Sequence, residues 1–163
     1  MKDIPSDNRN PVQLYRRIKE AAGITWYHEQ TEVPVIQTLV SDDAPQFRYI
    51  AAWHALCWVH AGRPIKKLNP LTLLFQEEVR RVLEEFWNFY RTLLAFQQEP
   101  EKFNIEDLRA QFDKIFTQKT EYPALDKILQ SIFDNKEKLL VVLKFPQVPF
   151  RGDRTHYRLE DIF

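Results

Sequence analysis

Residues 75–96, FQEEVRRVLEEFWNFYRTLLAF, place Phe75, Val79, Val82, Phe86, Phe89, Leu93 and Phe96 at alternating spacings of four and three. That spacing is the signature of one apolar face running down a single long α-helix. Trp87, Tyr90 and Leu94 widen the face, so the helix is expected to pack against more than one neighbour. The segment QQEPEKFN breaks it at Pro100. Ile105, Leu108, Phe112 and Ile115 repeat the pattern in a second helix, for which Asn104 is a suitable N-cap. After the break TQKTEYP, the residues Leu125, Ile128, Leu129, Ile132 and Phe133 mark a third helix that continues toward Leu140. Residues 71–143 therefore read as a helical hairpin plus a third helix.

The N-terminal side is different in character. Residues 1–11 are polar, carry Pro5 and Pro11, and read as a loose leader without the apolar core of a signal peptide. PVQLYRRIKEAAG predicts a modest amphipathic helix with Pro11 in its first turn and Gly23 as its stop. VPVIQTLV, residues 33–40, is rich in β-branched residues and predicts a strand, with Pro34 confined to its start or an edge. APQFRYIAAW predicts one or two helical turns. HALCWVH, residues 54–60, is short and apolar and predicts a second strand, a helix being the alternative. The tail, residues 144–163, has two prolines, mixed charge and no period. The expected class is mostly α with a small β component: residues 1–70, then a helical segment 71–143, then an irregular tail.

Composition narrows the function classes. With 163 residues, 44% of them apolar, the chain is long enough for one real core. Its formal net charge of 0 gives no global attraction to nucleic acid, so a polyanion would need a local basic patch. A single cysteine makes no internal disulfide and fits a reducing, cytoplasmic setting. No apolar run approaches the roughly 20 residues that span a bilayer.

Three local features could carry chemistry. In TLVSDDAPQF, residues 38–47, Asp42 and Asp43 stand at the carboxyl end of the predicted strand, where α/β folds place groups that face substrate. Carboxylates there suit Mg²⁺; alternatively either Asp caps a helix starting near Ala44. Cys57 and His60 are zinc donors by type, but four ligands are not in view, and a nucleophilic Cys–His pair would need a third, orienting group. Arg63, Lys66 and Lys67 form a basic cluster beside His60, either a solvated face or a phosphate contact.

LVSDDAPQF followed by HALCWVHAGRPIKKLNP resembles bacterial insertion-sequence transposases of the DDE type, which have an RNase H-like catalytic domain. In that family a strand ends in an Asp within D-[DG]-A-x-x-F. An L-C-W-x-H-x-x-R-x-x-K-L block follows, and then a long helical insertion that ends near a V-P-L-H-like turn, here PQVPF. The resemblance spans residues 30–150. It implies about two strands of an RNase H-like core, then a helical insertion, with Asp42 as a catalytic, metal-binding carboxylate and Asp43 as a second metal candidate. It further implies Mg²⁺ or Mn²⁺ as cofactor and DNA, the insertion-sequence ends, as partner. Cys57, Trp58 and His60 would support the sheet below the site, while Arg63, Lys66 and Lys67 would meet DNA.

The family pattern also predicts an incomplete triad. The first catalytic Asp belongs to strands expected before residue 1. Where the family has N-N-x-x-E, this chain has Gly152 and Asp153 at the Asn positions and His156 at the Glu position, with Glu160 out of register. The expected object is a truncated transposase fragment that is inactive alone, its last dozen residues diverging as after a frameshift. Two other readings stand beside it. One is a non-enzymatic helical module that binds DNA or intact transposase; the other is a small hydrolase using Asp42 or Cys57.

Overall fold

The seam of residues 75–96 folds as expected. In the computed structural model, which describes residues 10–32, 34–42 and 49–150, its helix runs from Leu73 to Gln98. The hydroxyl of Thr72 caps it by accepting from the Phe75 amide at 3.3 Å. In chain order the elements are α1 (Pro11–Glu29), β1 (Thr38–Ser41), β2 (Trp53–Leu56), α2 (Trp58–Lys66), α3 (Leu73–Gln98), α4 (Ile105–Phe116) and α5 (Pro123–Asp134). The short turns α6 (Lys136–Leu139) and α7 (Val141–Lys144) complete the set, and a 3-10 turn, Pro100–Lys102, joins α3 to α4. The protein is mostly α with a small β component.

The described residues fall into two units divided after Gln37. In the first, α1 opens at Asn10, whose side chain accepts from the Val12 amide, with Pro11 at its first position. Gly23 does not stop it. Among the described residues nothing lies within 4 Å of a Cβ built there, and the helix continues until the Gln30 amide bonds the Trp26 carbonyl. A glycine inside a helix costs only about 1 kcal/mol, less than a full stop requires. No residue of α1 is buried.

The second unit contains the core. Trp58 lies at its centre, 1% exposed, with ring centroids of Phe86, Phe89, Tyr90, Phe112 and Phe116 between 5.3 and 6.5 Å away. Its indole Nε1 donates to the Leu139 carbonyl at 3.0 Å. The aromatic surplus of α3 is thus consumed internally: α2 packs on α3 and α5, α3 on α4, and α4 on α5. The turn PQVPF is held from α3, because Gln97 Nε2 donates to the carbonyls of Pro146 and Val148. Phe150 then buries its ring against Tyr90 at 5.3 Å, and its carbonyl accepts from the Trp58 amide.

The β component is smaller than the sequence suggests. β1 and β2 are parallel, with Thr38 opposite Trp53 and Ser41 opposite Leu56. The strand expected at 33–40 occupies only its last three residues plus Ser41, since a four-residue partner bounds the ladder and Pro34 cannot donate to one. The strand expected at 54–60 is corrected more sharply. It ends at Leu56, and Trp58 begins a helix. Trp58, Gly62 and Ile65 recur at helical spacing and bury one face of α2, which decides between the two periods. Of the helical turns expected over 44–53, residues 44–48 lie outside the described residues, and Tyr49–Ala52 form turn and bend.

Two ion pairs tie α4 to α6. Arg109 reaches Glu137 through both terminal nitrogens, at 2.8 and 3.3 Å, and Lys136 reaches Asp113 at 2.7 Å. The hydrogen bond from Arg109 holds the Glu137 carboxyl below its ordinary value of 4.5, against a smaller opposing effect of burial and with help from the charges of Arg109 and Lys136. A carboxyl whose pKa is lowered by folding stabilises above its unfolded pKa and loses that contribution as pH falls through the folded one. Because Glu137 is largely exposed, Glu137→Gln should cost under about 1 kcal/mol at pH 7. Urea titrations of the two proteins should converge as pH falls through the lowered folded pKa of Glu137.

Candidate functional site

The parallel pairing fixes which side chains meet. Successive residues of a strand face opposite sides. On one side, Val40 and Ala55 pack with Val141, Phe145 and Val148, and Trp53 meets the Phe145 ring at 5.4 Å. On the other side are Ser41, His54 and Leu56. Ser41 Oγ and His54 Nε2 lie 2.6 Å apart, both half-buried. The Ser41 carbonyl accepts from the Cys57 amide at 2.9 Å, which binds the carboxyl end of β1 to the start of α2.

Asp42 follows Ser41 directly, at the carboxyl end of β1, as expected. It lines a pocket of about 320 Å³ whose floor is Leu56, Ile128, Ile132 and Leu139. Its rim carries Ser41, Asp42, Cys57, His60, Lys127 and Ser131. One wall is α2 and the other is α5, so the helical segment contributes directly to the surroundings of Asp42. Asp43 lies outside the described residues, as do Gly152, Asp153, His156 and Glu160.

The three motif residues are not equivalent. Cys57 is buried at the N-cap of α2, without a side-chain capping bond, and also touches the pocket. Trp58 is the centre of the core and packs against α3 and α4. His60 is exposed. With Arg63 and Lys67 it occupies the face of α2 opposite Trp58, Gly62 and Ile65, and Lys66 borders that face. The structure therefore brings the three basic residues together on one exposed helix surface, next to the pocket wall formed by His60.

Among the described residues no group of three or more His, Cys, Asp and Glu side chains could hold a metal ion. Asp42 supplies one hard oxygen donor, and a divalent cation such as Mg²⁺ needs more than that. The described residues therefore do not make a complete Mg²⁺ or Mn²⁺ site, nor do Cys57 and His60 gather the four ligands of structural zinc.

Ser41 and His54 are what sequence reading missed. The signal is their position in two short strands, and it becomes informative only once the pairing is known to be parallel with Leu39 opposite His54. Also among the described residues, no helix is long and apolar enough to cross a membrane.

Comparison with known proteins adds one relative. The chain is 40% identical over 111 residues to the uncharacterized protein y4jO of Sinorhizobium fredii (strain NBRC 101917 / NGR234). That alignment covers 68% of this chain and 34% of y4jO, so the chain spans about a third of the relative's length. No family model matches the chain, and no solved structure matches it.

Proposed function

We propose that the chain is a segment of a DDE-type insertion-sequence transposase, a cytoplasmic DNA-transposing enzyme, that contributes one metal-binding carboxylate and lacks activity alone. The observation that carries the reading is the placement of Asp42. It stands at the carboxyl end of a strand in a parallel pair, and the partner strand runs straight into the helix bearing Trp58, His60, Arg63 and Lys66. In this reading Asp42 would share Mg²⁺ or Mn²⁺ with two carboxylates from elsewhere in the enzyme. Two-metal phosphoryl transfer needs that full ligand set, which is why the chain alone is inactive. Translating the DNA on either side of the coding sequence in all frames tests this. The expected result is an Asp-bearing strand upstream and an N-N-x-x-E sequence downstream in a shifted frame; unrelated flanks would overturn it.

The exposed face of α2 is the DNA contact in this reading. Each Lys or Arg that neutralises a phosphate adds about 0.9 to the slope of log affinity against log salt. Replacing Arg63, Lys66 and Lys67 together with alanine should therefore lower the slope for duplex DNA by about 2–3, with affinity falling across all sequences alike. A slope unchanged in fluorescence anisotropy titrations would exclude this face.

A second reading, a helical module that binds intact transposase, is favoured by α1. Its Val12, Leu14, Tyr15, Ile18 and Trp26 are all exposed. Co-purification of the chain with full-length transposase, lost when Tyr15 and Ile18 become Glu, would favour it.

A further inference from the structure

We infer that Ser41 and His54 form a nucleophile–base pair that carries out acyl transfer on small esters, an activity independent of any role for Asp42 in DNA chemistry. Serine is a weak nucleophile until a base within hydrogen-bond reach takes its proton, and the reach needed is about 2.6–3.2 Å. Ser41 Oγ lies 2.6 Å from His54 Nε2. With the imidazole proton on Nδ1, Nε2 accepts the Ser41 hydroxyl. Neighbouring strands of a parallel pair hold the two groups, so their relation is fixed by the register rather than by a loop.

The strand register takes the place of a third, orienting group, and the surroundings supply room for a substrate and main-chain donors. Ser41 opens onto the pocket of about 320 Å³, at the small end of ligand cavities and floored by Leu56, Ile128 and Ile132. That space suits a short, unbranched acyl chain. The main chain beside Ser41 is the start of α2. The Cys57 amide is taken by the Ser41 carbonyl and the Trp58 amide by the Phe150 carbonyl. The next two amides, Val59 and His60, have no carbonyl four residues back inside the helix, and in this proposal they are the donors to a developing oxyanion.

The chemistry then balances without a further reagent. Ser41 Oγ attacks the ester carbonyl carbon while its proton passes to His54 Nε2. The tetrahedral intermediate collapses, the carbon–oxygen bond to the alcohol breaks, and His54 returns the proton to the departing alkoxide. Water, deprotonated by His54, attacks the acyl-Ser41 ester and releases the carboxylic acid, and Ser41 regains its proton.

The chain has three serines, Ser6, Ser41 and Ser131, and Ser131 lines the same pocket with no histidine bonded to its hydroxyl among the described residues, so it is an internal control. Diisopropyl fluorophosphate would be added to the native full chain, and the modified peptides quantified by mass spectrometry. The expected result is an adduct on Ser41 formed about 10²–10⁴-fold faster than on Ser131, the usual contribution of a positioned base. Hydrolysis of 4-nitrophenyl butyrate should be lost in Ser41→Ala and fall by a similar factor in His54→Gln. Equal labelling of Ser41 and Ser131 in the native chain would overturn the proposal, and so would an unchanged rate in a folded His54→Gln protein. If His54→Gln does not fold, the Ser41 to Ser131 ratio in the native chain decides. Either outcome leaves the transposase reading standing, since that rests on Asp42 and the flanking DNA.

Discussion

Trp58→Ala is expected to remove most of the stability of residues 38–150. Truncating a fully buried tryptophan to alanine costs about 3–5 kcal/mol through lost transfer energy and the cavity left behind. Here the indole touches five aromatic rings from α3 and α4. The substitution also strips the Leu139 carbonyl of its donor in a buried place, which adds about 1–3 kcal/mol. Against a total of about 5–15 kcal/mol for a typical domain, that is a large share of the stability and, at the lower end of the range, enough to unfold the protein. Far-UV circular dichroism in a urea titration reads the effect directly; tryptophan fluorescence would not, with four tryptophans in the chain. Trp58→Phe should fall between the two, keeping ring contacts but losing the bond to Leu139. A loss below 1 kcal/mol for the alanine variant would mean that Trp58 is not the centre of the core.

Gly62→Val is the second large expectation, and its sign is diagnostic. At an exposed helical site, replacing glycine gains up to about 1 kcal/mol in helix propensity. At residue 62 a Cβ would stand 2.8 Å from Phe86 Cε1, 3.1 Å from its Cζ and 3.3 Å from Trp87 Cζ2. Phe86 is 0% exposed, so its ring has nowhere to retreat without disturbing the Trp58 cluster. Overpacking of that kind costs about 1–3 kcal/mol, and the branched valine belongs at the upper end. The measured change in urea midpoint should therefore be downward. An upward shift would show that α2 and α3 are not in close approach.

These two residues mark where the sequence was hard to read. HALCWVH is seven residues of nearly continuous apolar character, too short for periodicity to separate a buried strand from a buried helix. Its first three residues, His54 to Leu56, belong to the strand that pairs with β1, and its last three begin the helix that turns Trp58 toward α3. The reason lies in Phe86, Phe89 and Phe112, which are 28 or more residues away and form the socket that Trp58 fills. Gly23 misled in the opposite direction. Glycine before a polar stretch is a common helix end, but only a positive φ or a close approach makes it necessary, and neither holds at residue 23.

The candidate site divides along the same line. Asp42 at a strand end was visible from LVSDDAPQF alone, because a short β-prone run, Leu39 and Val40, leading into aspartate is a local event. The basic cluster of Arg63, Lys66 and Lys67 was visible as well, but its place on the exposed side of α2 was not, because the sequence was read there as a strand. The pocket beside Asp42 was not visible, since its second wall is α5, some 85 residues later in the chain. Nor was the Ser41–His54 pair, which depends on the register of a parallel ladder and hence on a crossover no local pattern records.

By itself, then, the sequence determined the elements whose signal repeats along one helix: α3 from its seven-residue seam, α4 with its Asn104 cap, and α5 from Leu125 onward. Each repeats its apolar residues over enough turns for period and burial to agree. What the tertiary structure alone decided is where short, uniformly apolar stretches change from strand to helix, and which polar groups meet across them. Those outcomes are set by partners distant in sequence, through the volume left for Trp58, the clearance left at Gly62 and the register that sets Ser41 beside His54.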